Sequence, residues 1–286
     1  MAKNTKGPGG VEIKTLSPNM NIASAKQIWK GEPKCGKTST AAALKTVSDQ
    51  YGLDVKPFFL LFEPGSEGVS LDCTSEPCEV CGGTGKEGKK KCETCEGAGT
   101  VRLILTTRKE MREWFEWFVE SDFDIAVIDT GDKFYQAIMD DVCVEMNIVS
   151  PYGANDNGIS WSVIFDAMRE LLGILEASGK GVILIHHVYK QEKRVKGGST
   201  VTQLVFNVPG KAKVYLAGFA DQVLHFDIVP DEATDGDTDK HVLIGEHRAS
   251  IEAGDRWGMF PAELDLGDSA ETAAEAILTC FGYLEE

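Results

Sequence analysis

The feature that most constrains this chain is the octapeptide GEPKCGKT at residues 31–38. It fits the pattern G-x-x-x-x-G-K-[ST], in which glycines let backbone N–H groups turn inward and hold phosphate oxygens. Lys37 is expected to meet the β- and γ-phosphates of a nucleotide. Thr38 is expected to complete the shell of a Mg²⁺ ion, which prefers oxygen ligands. The octapeptide therefore predicts a phosphate-binding loop of the Walker A type.

The flanks of the octapeptide supply the order strand, glycine loop, helix. Residues 27–30 are compatible with a short strand, and residues 39–47 are rich in helix formers. A helix that starts here adds the positive end of its dipole to an anion site. The alternative is a glycine-lysine turn that matches by chance, and the flanks argue against it. The predicted nucleotide-binding residues are Gly31, Glu32, Pro33, Lys34, Cys35, Gly36, Lys37, Thr38 and Ser39.

Composition excludes some classes of protein. The 286 residues are 42% hydrophobic and 26% charged, which is ordinary for a globular chain. A net charge of −16 argues against a basic coat for duplex DNA, although it permits a local basic groove. No apolar run approaches the length of a membrane span. Residues 1–10 have no apolar signal core and are interpreted as a flexible tail. We therefore expect a cytoplasmic protein without a membrane partner.

Two apolar runs that end in acids predict buried strands of a parallel sheet. Residues 58–62 lead to Glu63, and residues 124–128 lead to Asp129. Ligands of open α/β sheets bind beyond the carboxyl ends of the strands. Asp129 is therefore predicted to hold Mg²⁺ with Thr38, the alternative being a strand that happens to end in an acid. Glu63 either faces the nucleotide or is an exposed turn residue.

A third apolar run, residues 181–185, leads to His186 and His187. Either imidazole could sense the γ-phosphate from the end of this strand, and His187 is preferred because it lies further along. A packed or solvated histidine is the alternative. Residues 189–198 then form a basic run in an acidic chain. They form either a solvated loop or a loop that holds nucleic-acid phosphates.

Four of the eight cysteines fall in one short segment. Cys78 and Cys81, and then Cys92 and Cys95, form two C-x-x-C pairs that can meet across a hairpin. Four thiolates suit a closed tetrahedral Zn²⁺ site, and a redox dithiol or an iron–sulfur cluster are the alternatives. So small a segment depends on the metal for its folding energy. We predict an inserted zinc hairpin at residues 73–99, between core segments 11–72 and 100–286.

The remaining patterns predict ordinary α/β elements. Strands are expected at residues 11–16 and 100–106, and an antiparallel hairpin from residues 221–229 and 241–248. Helices are expected at residues 109–120, 132–146, 162–175 and 270–283. Asp268 and Glu271 could cap the last helix. A Pro/Gly/Asn loop is predicted at residues 150–160.

The order of these motifs resembles that of RecA-type ATPases. From about residue 27 to residue 258, outside the cysteine segment, the chain is similar to the phage nucleotide-binding proteins of the RecA-like single-strand annealing group. The cysteine segment itself resembles the zinc-binding repeats of DnaJ-type chaperones. The resemblance implies an α/β fold, namely a RecA-like P-loop NTPase core with a mainly parallel sheet, a C-terminal antiparallel hairpin and the small zinc insert.

The RecA-like group also implies roles for single residues. Glu63 would activate the attacking water, and His187 would sense the γ-phosphate. Loops at residues 150–160 and 189–211 would contact single-stranded DNA. A Lys-x-Arg element that reaches a neighbour's nucleotide is matched only by Arg256, because Gly254 stands at the lysine position. The alternative for Arg256 is a surface pair with Asp255.

These roles imply an ATPase, stimulated by DNA, that acts in phage recombination or replication. ATP would lie at the subunit interfaces of a homo-oligomeric ring or filament, in the host cytoplasm if the chain is viral. A single-strand binding protein is a further possible partner. Two other interpretations stay open: an ATP-switched adaptor that recruits a partner through the zinc hairpin, and a replicative helicase or its loader.

Overall fold

The computed structural model describes residues 21–65, 69–194, 200–231 and 238–285, so the predicted tail and the strand at residues 11–16 lie outside the described residues. In chain order the elements are β1 (Lys26–Gly31), α1 (Lys37–Tyr51), β2 (Pro57–Leu61), β3 (Ser75–Pro77), β4 (Lys86–Glu87), β5 (Lys90–Lys91), β6 (Thr100–Arg102), α2 (Arg108–Glu120), β7 (Ile125–Asp129), α3 (Gly131–Glu145), α4 (Ile159–Ala177), β8 (Gly181–Arg194), β9 (Thr200–Phe206), α5 (Gly210–Phe219), β10 (Gln222–Pro230), β11 (Asp239–Ile244), β12 (Gly254–Asp255), β13 (Leu264–Asp265) and α6 (Ala270–Cys280).

One large sheet organises these elements. Its strands run in the order β13-β11-β10-β1-β8-β7-β2, with β9 paired to β8 and β12 paired to β10. The strands from β10 to β2 are mutually parallel, whereas β11 and β13 are antiparallel. Every residue of β1, β2 and β7 is buried, because helices cover both faces. The α/β class, with a mainly parallel sheet and a C-terminal antiparallel hairpin, is confirmed.

The helices form a layer on each face of the sheet. Residues of α2, α3, α4 and α5 share one apolar core with Ile28 of β1. Residues of α1 and α6 share the other core with Trp29, the next residue of the same strand. This alternation follows from the period of two along a strand. The helix predicted at residues 109–120 is α2, and it faces the core with Met111, Phe115 and Phe118, which are fully buried.

Parallel pairing brings the carboxyl ends of the central strands to one edge of the sheet. Gly31, the last residue of β1, pairs with His187 of β8. Leu61, the last residue of β2, pairs with Asp129 of β7. The phosphate-binding loop and the polar residues that follow these strands therefore share one edge.

Several element predictions need correction. The basic run after His187 does not start as a loop: β8 continues to Arg194 and pairs with β9 over the full stretch from Val188 to Arg194. Residues 195–199 lie outside the description. The strand expected at residues 100–106 is the short β6, which pairs with β3 rather than with the large sheet. The cap of α6 is formed by Ser269 and Thr272, one residue beyond the predicted pair.

The pairing of β8 with β9 explains the first of these corrections. The consecutive residues Gln191 and Glu192 face opposite sides of the strand and are both polar and exposed, so no apolar period of two marks the strand. The backbone hydrogen-bonding groups of this part of β8 are satisfied by β9 instead.

Within the described residues, no helix is both long and apolar enough to cross a membrane.

Candidate functional site

A cavity of about 580 Å³ lies at the carboxyl edge of the sheet. We call it the phosphate cavity. Its walls come from the glycine loop, from the segments that follow β2 and β7, and from β8. The lining residues are Pro33, Lys34, Gly36, Lys37, Thr38, Ser39, Glu63, Pro64, Gly65, Val69, Asp129, Thr130, Ile185 and His187. The fold thus gathers the predicted loop, both predicted acids and the preferred histidine around one space.

The glycine loop has the backbone that its sequence predicts. Gly36 immediately precedes α1 and has φ of 93°, a left-handed conformation that side chains other than glycine rarely adopt. The N-terminal turn of α1 therefore opens onto the cavity with Lys37 and Thr38 as its first residues. Gly31, Glu32 and Cys35, which the sequence also assigned to nucleotide binding, do not line the cavity but contact the Nζ of Lys37.

Lys37 is held by the loop itself. Its Nζ donates to the carbonyl oxygens of Glu32 at 2.8 Å and Gly31 at 3.1 Å, and it lies 3.4 Å from the Sγ of Cys35. Only 5% of the residue is exposed, although it also lines the cavity. The ammonium group is thus positioned at the cavity wall, where phosphate oxygens can exchange with the carbonyl partners.

Thr38 and Asp129 meet across the cavity floor. The Thr38 hydroxyl donates to the Asp129 carboxylate, with Oγ1 at 3.2 Å from Oδ1 and 3.3 Å from Oδ2. Burial and the nearby negative charge of Glu63 raise the pKa of Asp129 to about 6. A hydroxyl and a crowded carboxylate form the hard oxygen donor set that suits Mg²⁺, and a cation there would relieve the repulsion between the acids.

His187 is oriented by an acid that sequence reasoning missed. Its Nδ1 lies 3.4 Å from Oδ2 of Asp132, and its backbone N–H donates to Oδ1 at 3.4 Å. The hydrogen bond to Asp132 raises the pKa of His187. Burial opposes ionisation of Asp132, but the hydrogen bond and the neighbouring imidazoles outweigh it and lower the pKa of Asp132 to about 2. The signal was an acid three residues after Asp129, in the first turn of α3.

His186 faces the opposite side of the sheet. Its side chain is fully buried, and its ring lies 5.3 Å from the ring of Phe206. Burial lowers its pKa to about 4, so the imidazole is neutral at physiological pH. The alternation of side chains along β8 separates the two histidines, and His187 is the one that lines the phosphate cavity.

Arg256 lies far from the phosphate cavity of its own chain. Its Nη1 is 3.3 Å from Oδ1 of Asp221, and its Nη2 donates to the carbonyl oxygen of Gly218 at 3.2 Å. Asp221 immediately precedes β10 and accepts from the backbone N–H of Lys26 at the start of β1. Arg256 is therefore at the amino edge of the parallel strands, and its surface partner is Asp221 rather than Asp255.

The four cysteines of the inserted segment converge on one point. The Sγ atoms of Cys78, Cys81, Cys92 and Cys95 all lie within 4.8 Å of one another. The distance is 4.0 Å from Cys78 to Cys92 and 3.7 Å from Cys81 to Cys95, too long for disulfides. A tetrahedral ion with sulfur ligands at ~2.3 Å separates those sulfurs by ~3.8 Å. The cluster therefore fits a Zn²⁺ ion.

Backbone N–H groups support the cysteine cluster. Gly85 donates to Sγ of Cys81 at 3.2 Å, and Gly99 donates to Sγ of Cys95 at 3.3 Å. Gly85 has φ of 72°, and a Cβ there would lie 2.3 Å from the carbonyl oxygen of Gly97. The two glycine-containing turns thus approach each other more closely than side chains would permit. N–H donors of this kind stabilise the thiolates that a metal requires.

A second cavity, of about 360 Å³, lies beside the first. Three of its lining residues are tyrosines, Tyr135, Tyr152 and Tyr189, and we call it the tyrosine cavity. Asp132 and Lys133 also line it. Tyr152 lies in the first segment that the sequence assigned to DNA, residues 150–160. The second segment supplies Tyr189, Asn207, Val208 and Pro209. Asp132 therefore connects the two cavities, because it lines this one and holds His187 at the other.

The fold and the phosphate cavity define a P-loop NTPase. The family model of the AAA domain matches residues 23–257, and the chain belongs to that family. Among solved structures, it is similar to a KaiC-like protein from the hyperthermophilic archaeon Pyrococcus horikoshii, with 13% identity, 87% of each chain covered and a TM-score of 0.45. Curated proteins give no match.

Proposed function

We propose that this protein binds and hydrolyses ATP with Mg²⁺ and couples the reaction to single-stranded DNA in recombination or replication. The observation that carries the proposal is the phosphate cavity, where the glycine loop, two carboxylates and an oriented imidazole face one space. Each group corresponds to a need of phosphoryl transfer: a cradle for phosphates, oxygen ligands for a cation and a group that positions water.

Each residue of the phosphate cavity has a separate role in the proposed reaction. Lys37 exchanges its carbonyl partners for phosphate oxygens and neutralises their charge. Thr38 and Asp129 hold the Mg²⁺, which supplies charge neutralisation on the phosphate oxygens when bound. Glu63, across the cavity from the glycine loop, orients water and accepts its proton. His187, charged more readily because of Asp132, donates a hydrogen bond to the γ-phosphate.

The tyrosine cavity supports single-stranded DNA as the partner. Tyr152 is 77% exposed and Tyr189 is 41% exposed, so both rings are accessible to a ligand. Tyr152 also packs edge-to-face on Trp161, with 4.8 Å between the ring centroids. Stacking of bases on aromatic rings is tolerant of sequence and suits a chain whose net charge is −16. A ligand in the tyrosine cavity can influence the phosphate cavity, because Asp132 lines the first and contacts His187 in the second.

Steady-state ATP hydrolysis with and without single-stranded DNA tests the proposal. We expect stimulation by DNA, and we expect Tyr152→Ala and Tyr189→Ala to lose that stimulation while basal hydrolysis continues. Tyr51→Ala is the matched control, because Tyr51 is 49% exposed and lies at the end of α1. If DNA does not change the rate of ATP hydrolysis by the native chain, the adaptor interpretation is favoured. If the tyrosine variants lose basal hydrolysis, the rings act in catalysis rather than in DNA binding.

We further propose that the cysteine cluster holds one structural Zn²⁺ and that the protein works as a homo-oligomer. Arg256 is too remote to act on its own chain's nucleotide, since it lies at the opposite edge of the sheet. It would instead act on the nucleotide of a neighbouring subunit, as an arginine finger does.

A further inference from the structure

A third cavity adjoins the phosphate cavity on the side away from the two acids. It has a volume of about 110 Å³ and lies between the first turn of α1 and the turn that joins β13 to α6. We call it the α6 pocket. Gly36 and Ser39 line both this pocket and the phosphate cavity, so the two spaces meet at the glycine loop.

The sheet order gives the direction in which a nucleotide would lie. Three residues of the phosphate cavity come from strands on one side of β1: Glu63 follows β2, Asp129 ends β7 and His187 lies in β8. The reacting γ-phosphate belongs with those residues. The α6 pocket contains His241 of β11, on the other side of β1. The α-phosphate and the nucleoside therefore leave the loop past Ser39, toward β11 and α6.

The pocket walls have the chemistry of a base site. Leu266, Ala270 and Ala273 provide an apolar surface, and Leu266 and Ala273 are almost completely buried. Asp268 and His241 are polar residues that also line the pocket. Ligand sites are commonly apolar with a few placed polar groups, which is what a flat ring with a polar edge requires. Asp268 is an exposed acid, and its carboxylate can accept from an exocyclic amino group.

We propose that the α6 pocket holds the base of the bound nucleotide, with Asp268 accepting from the amino group of adenine. The proposal rests on the proposed binding of ATP and adds a specificity site to it. Residues 266–273 follow the part of the chain that matches the AAA domain, residues 23–257. The C-terminal helix would therefore complete the nucleotide site of this protein rather than only covering its core.

Two variants test the base site. Ala270→Leu places a larger side chain at the pocket wall, and Asp268→Ala removes the acceptor from an exposed position. Ala276→Leu is the matched control, since Ala276 is also a partly buried residue of α6 but does not line the pocket. Binding of ATP, of inosine triphosphate and of inorganic tripolyphosphate is measured by calorimetry with Mg²⁺, and thermal unfolding checks that each variant is folded.

We expect Ala270→Leu to weaken ATP at least about tenfold while tripolyphosphate binds as before. We expect Asp268→Ala to lower the affinity for ATP to that for inosine triphosphate, which lacks the amino group. Equal weakening of ATP and tripolyphosphate, or unchanged ATP affinity in both variants, would overturn the base site. A native chain that binds tripolyphosphate but binds ATP and inosine triphosphate equally well would overturn it too. A native chain that binds neither ATP nor tripolyphosphate would refute the proposed function itself.

Discussion

Asp129 and Asp132 lie three residues apart, and their surroundings move their pKa values in opposite directions. Burial beside Glu63 raises the pKa of Asp129 to about 6, whereas the His187 partner helps lower the pKa of Asp132 to about 2. The raised pKa means that the folded protein favours the protonated form of Asp129. The stability that Asp129 contributes to the folded state is therefore present below about pH 4 and is lost as the pH rises through 6. Asp132 contributes stability that is present above about pH 4 and lost as pH falls through 2.

The first prediction follows from this contrast. In the absence of Mg²⁺ and nucleotide, Asp129→Asn should raise the free energy of unfolding at pH 8 by up to about 3 kcal/mol and change little at pH 4. The amide oxygen can still accept from Thr38. Asp132→Asn should instead lower it by about 2 kcal/mol at pH 7. Urea unfolding at pH 4, 6 and 8 measures both, and a destabilised Asp129→Asn at pH 8 would contradict the electrostatic account.

The second prediction concerns Glu63. Glu63→Gln keeps the shape and removes the base, so binding of ATP should stay within about twofold while hydrolysis falls by a factor of about 10² or more. Lys37→Ala is the comparison, because removal of its charge should weaken binding and hydrolysis together. Calorimetric binding and phosphate release give the two quantities, and hydrolysis that survives in Glu63→Gln would assign the base to another residue.

At the scale of elements, the cysteine hairpin and the core are separate packing units. The two-stranded sheets β3–β6 and β4–β5 are not part of the large sheet, and the apolar cluster of the hairpin consists of its four cysteines with Val101 beside them. So small a cluster buries too little apolar surface to order its own backbone. If the cluster holds the proposed Zn²⁺, we expect the order of the hairpin to depend on that metal, while the core has two apolar clusters of its own.

The third prediction is that the purified protein carries about one equivalent of zinc. Chelation should expose four reactive thiols and increase hydrogen exchange at residues 78–99, while the thermal transition of the core persists. Cys78→Ser should lose the metal. Cys73→Ser should keep it, because Cys73 is outside the cluster. Zinc that is retained by Cys78→Ser, or a hairpin still protected after chelation, would count against a four-thiolate site.

At the scale of the whole molecule, the parallel sheet separates the phosphate cavity from Arg256. The cavity is at the carboxyl edge of the strands, and Arg256 is at the amino edge. A positive group that meets the γ-phosphate in the transition state must then come from elsewhere than Arg256 of the same chain. A second subunit that presents its amino edge would supply it.

The fourth prediction tests this arrangement by mixing. Arg256→Ala and Lys37→Ala should each be inactive alone. Together they should regain partial ATP hydrolysis, because some interfaces combine an intact glycine loop with an intact arginine. Lys56→Ala is the matched single variant and should keep native activity alone, since Lys56 is an exposed cation paired with Asp54. No recovery in a mixture that co-assembles, or full activity of Arg256→Ala alone, would refute the action in trans.

The features that depend on local spacing could be predicted from the amino-acid sequence. The glycine loop, the apolar runs and the paired cysteines are each contained within a few neighbouring residues, so their patterns predicted the parallel sheet, the phosphate site and the metal-compatible cluster. Glu63, Asp129 and His187 could be selected because parallel strands bring their carboxyl ends to one edge.

Features that depend on residues far apart in the chain became visible in the folded structure. The arm from Val188 to Arg194 is a strand because β9 satisfies its backbone, and its own side chains carry no apolar period. Asp132 meets His187, and residues 266–273 meet the glycine loop, through packing that no local pattern encodes. Burial and charge at Asp129 likewise arise from neighbours on other strands. Local chemistry fixes the candidates, and packing fixes which of them meet.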